Sequence, residues 1–221
     1  ARRIELDFPG KLQNLIDSSI PTAQKVKTVK EAGKCTNPEI LPALITAARM
    51  TGKGQTKVRK AALETLGELC AKDEDGSLEP TQECINVICE RFLNDKSEVR
   101  KAAYEACKGM QCYEFISELR EREDTEDNSE AKHELEKALE TISVRLKDEN
   151  PDSDDKKAVL DWLDYVAQLG DSSLLKTVQA YIYPAPHHDD EVVMKALQCL
   201  GRLGDEGGIE ICWLAPILCS T

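Results

Sequence analysis

DKSEVRKAAYEACKGM occupies residues 95–110, and its phrase stands earlier as VRKAALETLGEL over 58–69 and, altered, as VVMKALQCLGRL over 192–203. In the first stretch Val99, Ala102, Ala103, Ala106 and Met110 fall on one helical stripe. Small residues at the centre of such a stripe let two helices approach closely. Arg100 and Lys101 sit off the stripe, in water or reaching toward a neighbour. The earlier copy places Val58, Ala61, Ala62, Leu66 and Leu69 on the same stripe, and Val58 and Val99 stand 41 residues apart. A second pair, VLDWLDYVAQLGD from Val159 and VMKALQCLGRLGD from Val193, ends on Gly170-Asp171 and Gly204-Asp205, 34 residues apart. Repeats at roughly 35 to 45 residues predict an α-solenoid of helix pairs, each unit burying its apolar face on the next.

The stretch FLNDKSEVRKAAYEA resembles the HEAT-repeat pattern: an acidic residue, then Val-Arg, an Ala-rich helix, Leu-Gly and a turn. The resemblance makes Asp95 and Arg100 the family's acidic and basic positions, and it implies a structural ladder between neighbouring repeats. Elsewhere the pattern departs. Gly52-Lys53-Gly54 precedes Arg59 where an Asp is expected, and Met194 stands where an Arg is expected. Good copies cover about half of the chain. The resemblance implies a binding class and no particular partner.

Composition supports an all-α reading. Aromatics are 5% of the 221 residues, and Ala and Leu dominate the apolar positions. No run alternates strictly with period two, so essentially no sheet is expected. The most apolar stretch, IEICWLAPIL at 209–218, is too short to span a bilayer and carries Glu210 and Pro216. No signal-peptide pattern is found, and the expected setting is intracellular, in the cytoplasm. The net charge of −12 is uneven: residues 1–62 carry +7 and residues 63–221 carry −19. An acidic majority argues against nonspecific nucleic-acid binding by the whole chain and leaves room for a local basic patch.

Along the chain, helices are expected over 9–17, 23–34, 37–48, 56–70, 79–93, 97–109, 113–122 and 129–147. Two pairs follow, 154–169 with 172–183 and 190–203 with 206–218. Asn37 caps its helix with Pro38 in the first position. In the 79–93 helix Cys84, Ile85, Val87, Ile88, Phe92 and Leu93 are apolar, which predicts deep packing. Residues 121–130, EREDTEDNSE, contain no apolar side chain and read as a solvated loop or frayed helix end. A second polar gap, 148–155, contains Pro151. The chain is treated as a single α-solenoid over 1–221, irregular at these two gaps. Whether the 129–147 helix begins a new pair is left open by the residues.

Chemistry is sparsely signalled. Five of the nine cysteines, Cys70, Cys84, Cys89, Cys107 and Cys199, lie on or beside apolar stripes, without CxxC spacing or neighbouring His, and read as small buried thiols in a reducing compartment. His187-His188-Asp189-Asp190-Glu191 has metal-ligand residue types, but its acids suit the first turn of a helix. The acids of 148–155 lack the spacing of a calcium loop. No metal or cofactor is expected. With three histidines, no GxSxG, no P-loop and no dinucleotide fingerprint, no catalytic residues are assigned. Helical-repeat glycosylases and lyases use Trp and Asp beside basic residues, whereas Trp162 and Asp164 have acidic neighbours.

Two surfaces merit a binding reading. Arg49, Lys53, Lys57, Arg59 and Lys60 straddle the Gly-rich loop TGKGQT at 51–56, where they could meet a phosphate or an acidic peptide. Trp213, Leu214 and Ile217 form an apolar end that could be an interface. The reading is therefore a right-handed solenoid of five or six HEAT-like helix pairs. Its expected role is that of a non-enzymatic scaffold binding a protein or extended peptide. The alternative is nucleic-acid or phosphate binding through the basic cluster, and an enzyme or lyase ranks below both. The partner and the oligomeric state are not legible.

Overall fold

A computed structural model describes residues 17, 19–35, 37–52, 54–72, 77–94, 96–152, 154–182 and 189–204. Every regular element among them is helical, and no strand occurs there. The helices are α1 (Thr22–Ala32), α2 (Leu41–Arg49), α3 (Thr56–Leu69), α4 (Gln82–Asn94), α5 (Ser97–Met110), α6 (Ile116–Glu123), α7 (Ser129–Asp148), α8 (Lys156–Leu169), α9 (Leu175–Gln179) and α10 (Asp190–Leu203). Single 3-10 turns, Pro38–Ile40, Tyr113–Phe115 and Ser172–Leu174, lead into α2, α6 and α9. No described helix is long and apolar enough to cross a membrane.

Local chemistry accounts for the ends. The Asn37 side chain accepts the Glu39 amide at 3.0 Å, with Pro38 in the first turn. Asp155 accepts the Ala158 amide at 3.0 Å, and Asp189 accepts the Glu191 amide at 2.9 Å, capping α8 and α10. Both helices then stop on a left-handed glycine, Gly170 and Gly204, the conformation a Cβ disfavours. The repeated Leu-Gly-Asp phrase is thus a stop signal. Gln111 ends α5 in the same left-handed conformation without being glycine.

The chain divides into two compact units, Ala1–Leu139 and Glu140–Thr221, and the division falls inside α7, not at either polar gap. In the N-terminal unit α3 packs between α1 and α5, while α2 packs on α3 and α4, and α4 on α5. Helices that carry the repeated phrase therefore lie side by side. All ten stripe residues named in α3 and α5 are buried, and so are Phe115, Ile116 and Leu119 around α6. In the C-terminal unit α10 packs on α8 and α9. There Trp162 is buried beside Tyr181, with ring centroids 5.8 Å apart. Its indole nitrogen donates to the Leu146 carbonyl at 2.8 Å.

Three expectations are corrected. Leu93, expected in the core, is 60% exposed, because α4 buries the face bearing Cys84, Ile85, Val87, Ile88 and Phe92 and Leu93 lies off it. The stretch 121–130, expected as a solvated loop or a frayed helix end, does hold the end of α6 at Glu123, but Glu126 beyond it is buried and not solvated. The helix expected over 172–183 is shorter, a 3-10 turn followed by α9. The helix expected over 190–203 has those bounds in α10. The expected helices at 9–17 and 206–218 lie largely or wholly outside the described residues.

Candidate functional site

The seam between α3 and α5 is built from what the repeated phrase lacks. A Cβ placed on Gly67 would come 2.8 Å from the Ala106 Cα, and one on Gly109 would come 3.0 Å from the Gly67 carbonyl oxygen. The two helices touch through their backbones. Where side chains are missing the surface sinks into a groove of about 300 Å³. Its floor is Gly67, Ala71, Ala106 and Gly109, and its rim is Glu64, Glu68, Glu105 and Lys108. The Lys72 amide, just past α3, donates to the Gly109 carbonyl at 2.9 Å and ties the two helix ends together. Lys60 reaches Glu64 at 3.7 Å, and Lys108 points to Glu134 at 2.8 Å. The rim is thus acidic in balance over a largely apolar floor. It lacks histidine, cysteine and hydroxyl side chains. Such a surface can take up an extended segment bearing cationic side chains.

Beyond α5 the contacts change character. Arg100 donates to both carboxylate oxygens of Glu126 at 2.7 Å and to Asp127 at 2.9 Å. The Tyr104 hydroxyl donates to Glu126 at 3.0 Å, and the Asn128 amide does so at the same distance. Burial works to raise the Glu126 pKa, but the hydrogen bonds from Arg100, Asn128 and Tyr104 outweigh it and hold the carboxyl at about 2. The hydrogen bond to Glu126 raises the Arg100 pKa in turn. Lys101 pairs with Glu130 at 3.0 Å. This buried carboxylate was missed in the sequence because its surroundings are wholly polar. A signal did exist: Asp127-Asn128-Ser129-Glu130 repeats the pattern of Asp95-Lys96-Ser97-Glu98.

In the C-terminal unit Asp171 plays a similar part. It accepts hydrogen bonds from the Ser143 hydroxyl and from the Ser173 hydroxyl at 2.6 Å and amide at 2.9 Å. Burial would raise its pKa, but these bonds hold it at about 2. Lys195 pairs with Asp164 at 2.5 Å, and Lys156 with Asp189 at 2.9 Å and Glu191 at 2.6 Å.

Of the described members of the basic cluster, two arginines are engaged within the fold. Arg49 is engaged by Glu90 at 2.8 Å and Glu83 at 3.5 Å. Arg59 is buried, and its guanidinium donates to the Met50 carbonyl at 3.0 Å and the Thr56 hydroxyl at 3.5 Å, latching the loop between α2 and α3. Lys57 is exposed, Lys60 faces Glu64, and Lys53 lies outside the described residues. Asp95, Trp213, Leu214, Ile217, His187 and His188 also lie outside them; among the described residues Arg100 pairs with Glu126 and Asp127. Among the described residues no group of three or more His, Cys, Asp or Glu side chains is placed to hold a metal ion. Comparison of the chain with protein-family models gives no match, and comparison with curated proteins gives none.

Proposed function

We propose that the protein is a non-enzymatic interaction scaffold, a HEAT-like α-solenoid whose α3–α5 groove receives an extended protein segment carrying Lys or Arg. The observation that carries this reading is the groove itself: an apolar floor of glycine and alanine, open to solvent, beneath a rim with three glutamates. The packing of α3 on α5, two helices that carry copies of the repeated phrase, with α1 on the other side of α3, supports the solenoid. The Arg100–Asp127 bond supports the HEAT-like register, since it links the basic position of one copy to the acidic position of the next. A scaffold of this kind presents a ridge of helices over a large area, and binding there needs no perturbed titrating group. Nucleic-acid binding through the basic cluster is the weaker reading, because Arg49 and Arg59 are engaged within the fold.

The test is affinity capture from lysate with the intact chain and with a Glu64→Lys/Glu68→Lys/Glu105→Lys variant, each checked for native helix content. Recovery of a protein by the intact chain and its loss with the variant is the expected result. Equal recovery by both moves the binding surface away from this groove. Recovery of nucleic acid in place of protein overturns the scaffold reading.

A further inference from the structure

Two lysines of α5 flank Glu105, Lys101 four residues before it and Lys108 three residues after it. At those spacings side chains meet on one helix surface, so each lysine is a local partner for Glu105. Neither takes it. The Lys101 ammonium donates to Glu130 at 3.0 Å and the Lys108 ammonium to Glu134 at 2.8 Å, both acids of α7. Among the described residues no ion pair involves Glu105, and none involves Glu68 on the α3 side of the groove. Glu134 is 8% exposed, and each of its carboxylate oxygens takes one lysine: Oε2 takes Lys108, and Oε1 takes Lys137 at 3.2 Å. The hydrogen bond from Lys108 lowers the Glu134 pKa, so the carboxyl stays charged and able to hold the ammonium. Lys108 lines the groove and Glu134 does not.

We propose that Glu134 is a positioning residue for the groove: by drawing the Lys108 ammonium toward α7 it keeps that charge off Glu105 and leaves the rim open to a cationic guest. The inference rests on the reading of the groove as a site for a segment bearing Lys or Arg. Without the tether, Glu105 is the carboxylate one turn back along α5 from Lys108. Lys108 paired there becomes the groove's own cation. It neutralises one of the three rim glutamates and competes with the guest for the others. The affinity of a guest therefore depends on a side chain that the guest does not touch.

The residue type suits the part. A lysine ammonium is a point charge on a flexible stem and pairs with whichever carboxylate is within reach. An arginine is held by geometry as well as charge, and α5 uses one where the contact is fixed: Arg100 grips both oxygens of Glu126. The same helix thus carries a locked cation at its start and a tethered one at its end.

The experiment takes two readouts on the full chain. The first is fluorescence anisotropy with a fluorescein-labelled peptide of alternating Lys and Gly, at low ionic strength. Glu134→Gln is expected to weaken binding about fivefold, the effect of one partly screened charge. Lys108→Met is expected to bind at least as tightly as the intact chain. Adding Glu134→Gln to Lys108→Met is expected to change the affinity by less than about twofold, because no ammonium is left to release. Equal weakening in both backgrounds would overturn the proposal, since Glu134 would then act only as a distant charge. The second readout locates Lys108 without a guest. A carbodiimide joins a lysine and a carboxylate that touch as an amide, and the linked peptides are mapped by mass spectrometry. The expected map has a Lys108–Glu134 link in the intact chain and a Lys108–Glu105 link in Glu134→Gln. A Lys108–Glu105 link already present in the intact chain, or none in the variant, would overturn the proposal. Probe binding that survives Glu64→Lys/Glu68→Lys/Glu105→Lys would remove the groove itself as the site, and this inference with it, whatever the cross-link map shows. Circular dichroism checks the fold of each chain, and the map of the intact chain decides even if a variant does not fold.

Discussion

The two sides of α5 are joined to their neighbours in opposite ways. Toward α3 the contact is made by absent side chains, with Gly67, Ala106 and Gly109 bringing backbone against backbone. On the side of residues 126–134 it is made by long charged side chains: Arg100 to Glu126, Lys101 to Glu130 and Lys108 to Glu134. The first joint tolerates no added atom. The second is held by the buried Glu126 carboxylate, with the part-buried Lys108–Glu134 pair and the exposed Lys101–Glu130 pair beside it. One repeated phrase thus serves two kinds of interface, because its stripe faces the core while its flanks are free to differ.

The largest effect is expected at the buried carboxylate. Glu126→Ala leaves the Arg100 guanidinium and the Tyr104 hydroxyl without their main partner, and the loss of stability is about 3 kcal/mol, read from urea denaturation. A loss under 1 kcal/mol would mean that Asp127 and the other surroundings of Arg100 satisfy it without Glu126.

Acid sharpens the same point. The folded-state pKa of Glu126, about 2, lies below its ordinary value of 4.5, so its contribution is complete above that ordinary value. It is lost as pH falls toward 2, over a range worth on the order of 3 kcal/mol. Asp171, also held at about 2, adds to the same window in the C-terminal unit. Stability is therefore expected to fall between roughly pH 5 and pH 2, and Glu126→Gln should flatten part of that slope. An unchanged slope in the variant would show that the Glu126 carboxylate is not held down.

The smallest effect is expected at the exposed pair. Lys101→Ala removes the bond to Glu130, whose side chain is 75% exposed, and should leave the urea midpoint nearly unchanged, with any residual shift abolished by salt. A loss near that of Glu126→Ala would contradict the division between buried and exposed ion pairs.

Much of the helical plan was legible because it is local. The stripes of 58–69 and 99–110 and the Gly-Asp stops are set by periodicity and by turn chemistry, and α10 took the bounds its sequence predicts. What was not legible depends on partners far along the chain. Arg49 finds Glu90, 41 residues away, and Arg100 finds Glu126, 26 away, so basic side chains that look available on the page are engaged within the fold. Glu126 looked solvated because burial of a carboxylate is decided by an arginine in another helix. Leu93 looked buried because composition alone does not give the rotation of α4. The groove was hidden for a related reason: Gly67 and Gly109 look like weak helix formers until the second helix is placed against them.

The most direct test of the close α3–α5 joint is the urea midpoint of Gly67→Ala set against that of Gly201→Ala. Both glycines lie within helices, where alanine is favoured by up to about 1 kcal/mol. A Cβ on Gly201 meets nothing within 4 Å, whereas one on Gly67 meets backbone at 2.8 Å. The expected result is opposite signs: stabilisation at Gly201, and at Gly67 a net loss of about 1–2 kcal/mol as overpacking outweighs propensity. Stabilisation at both positions would contradict the backbone contact on which the groove and the stacked reading depend.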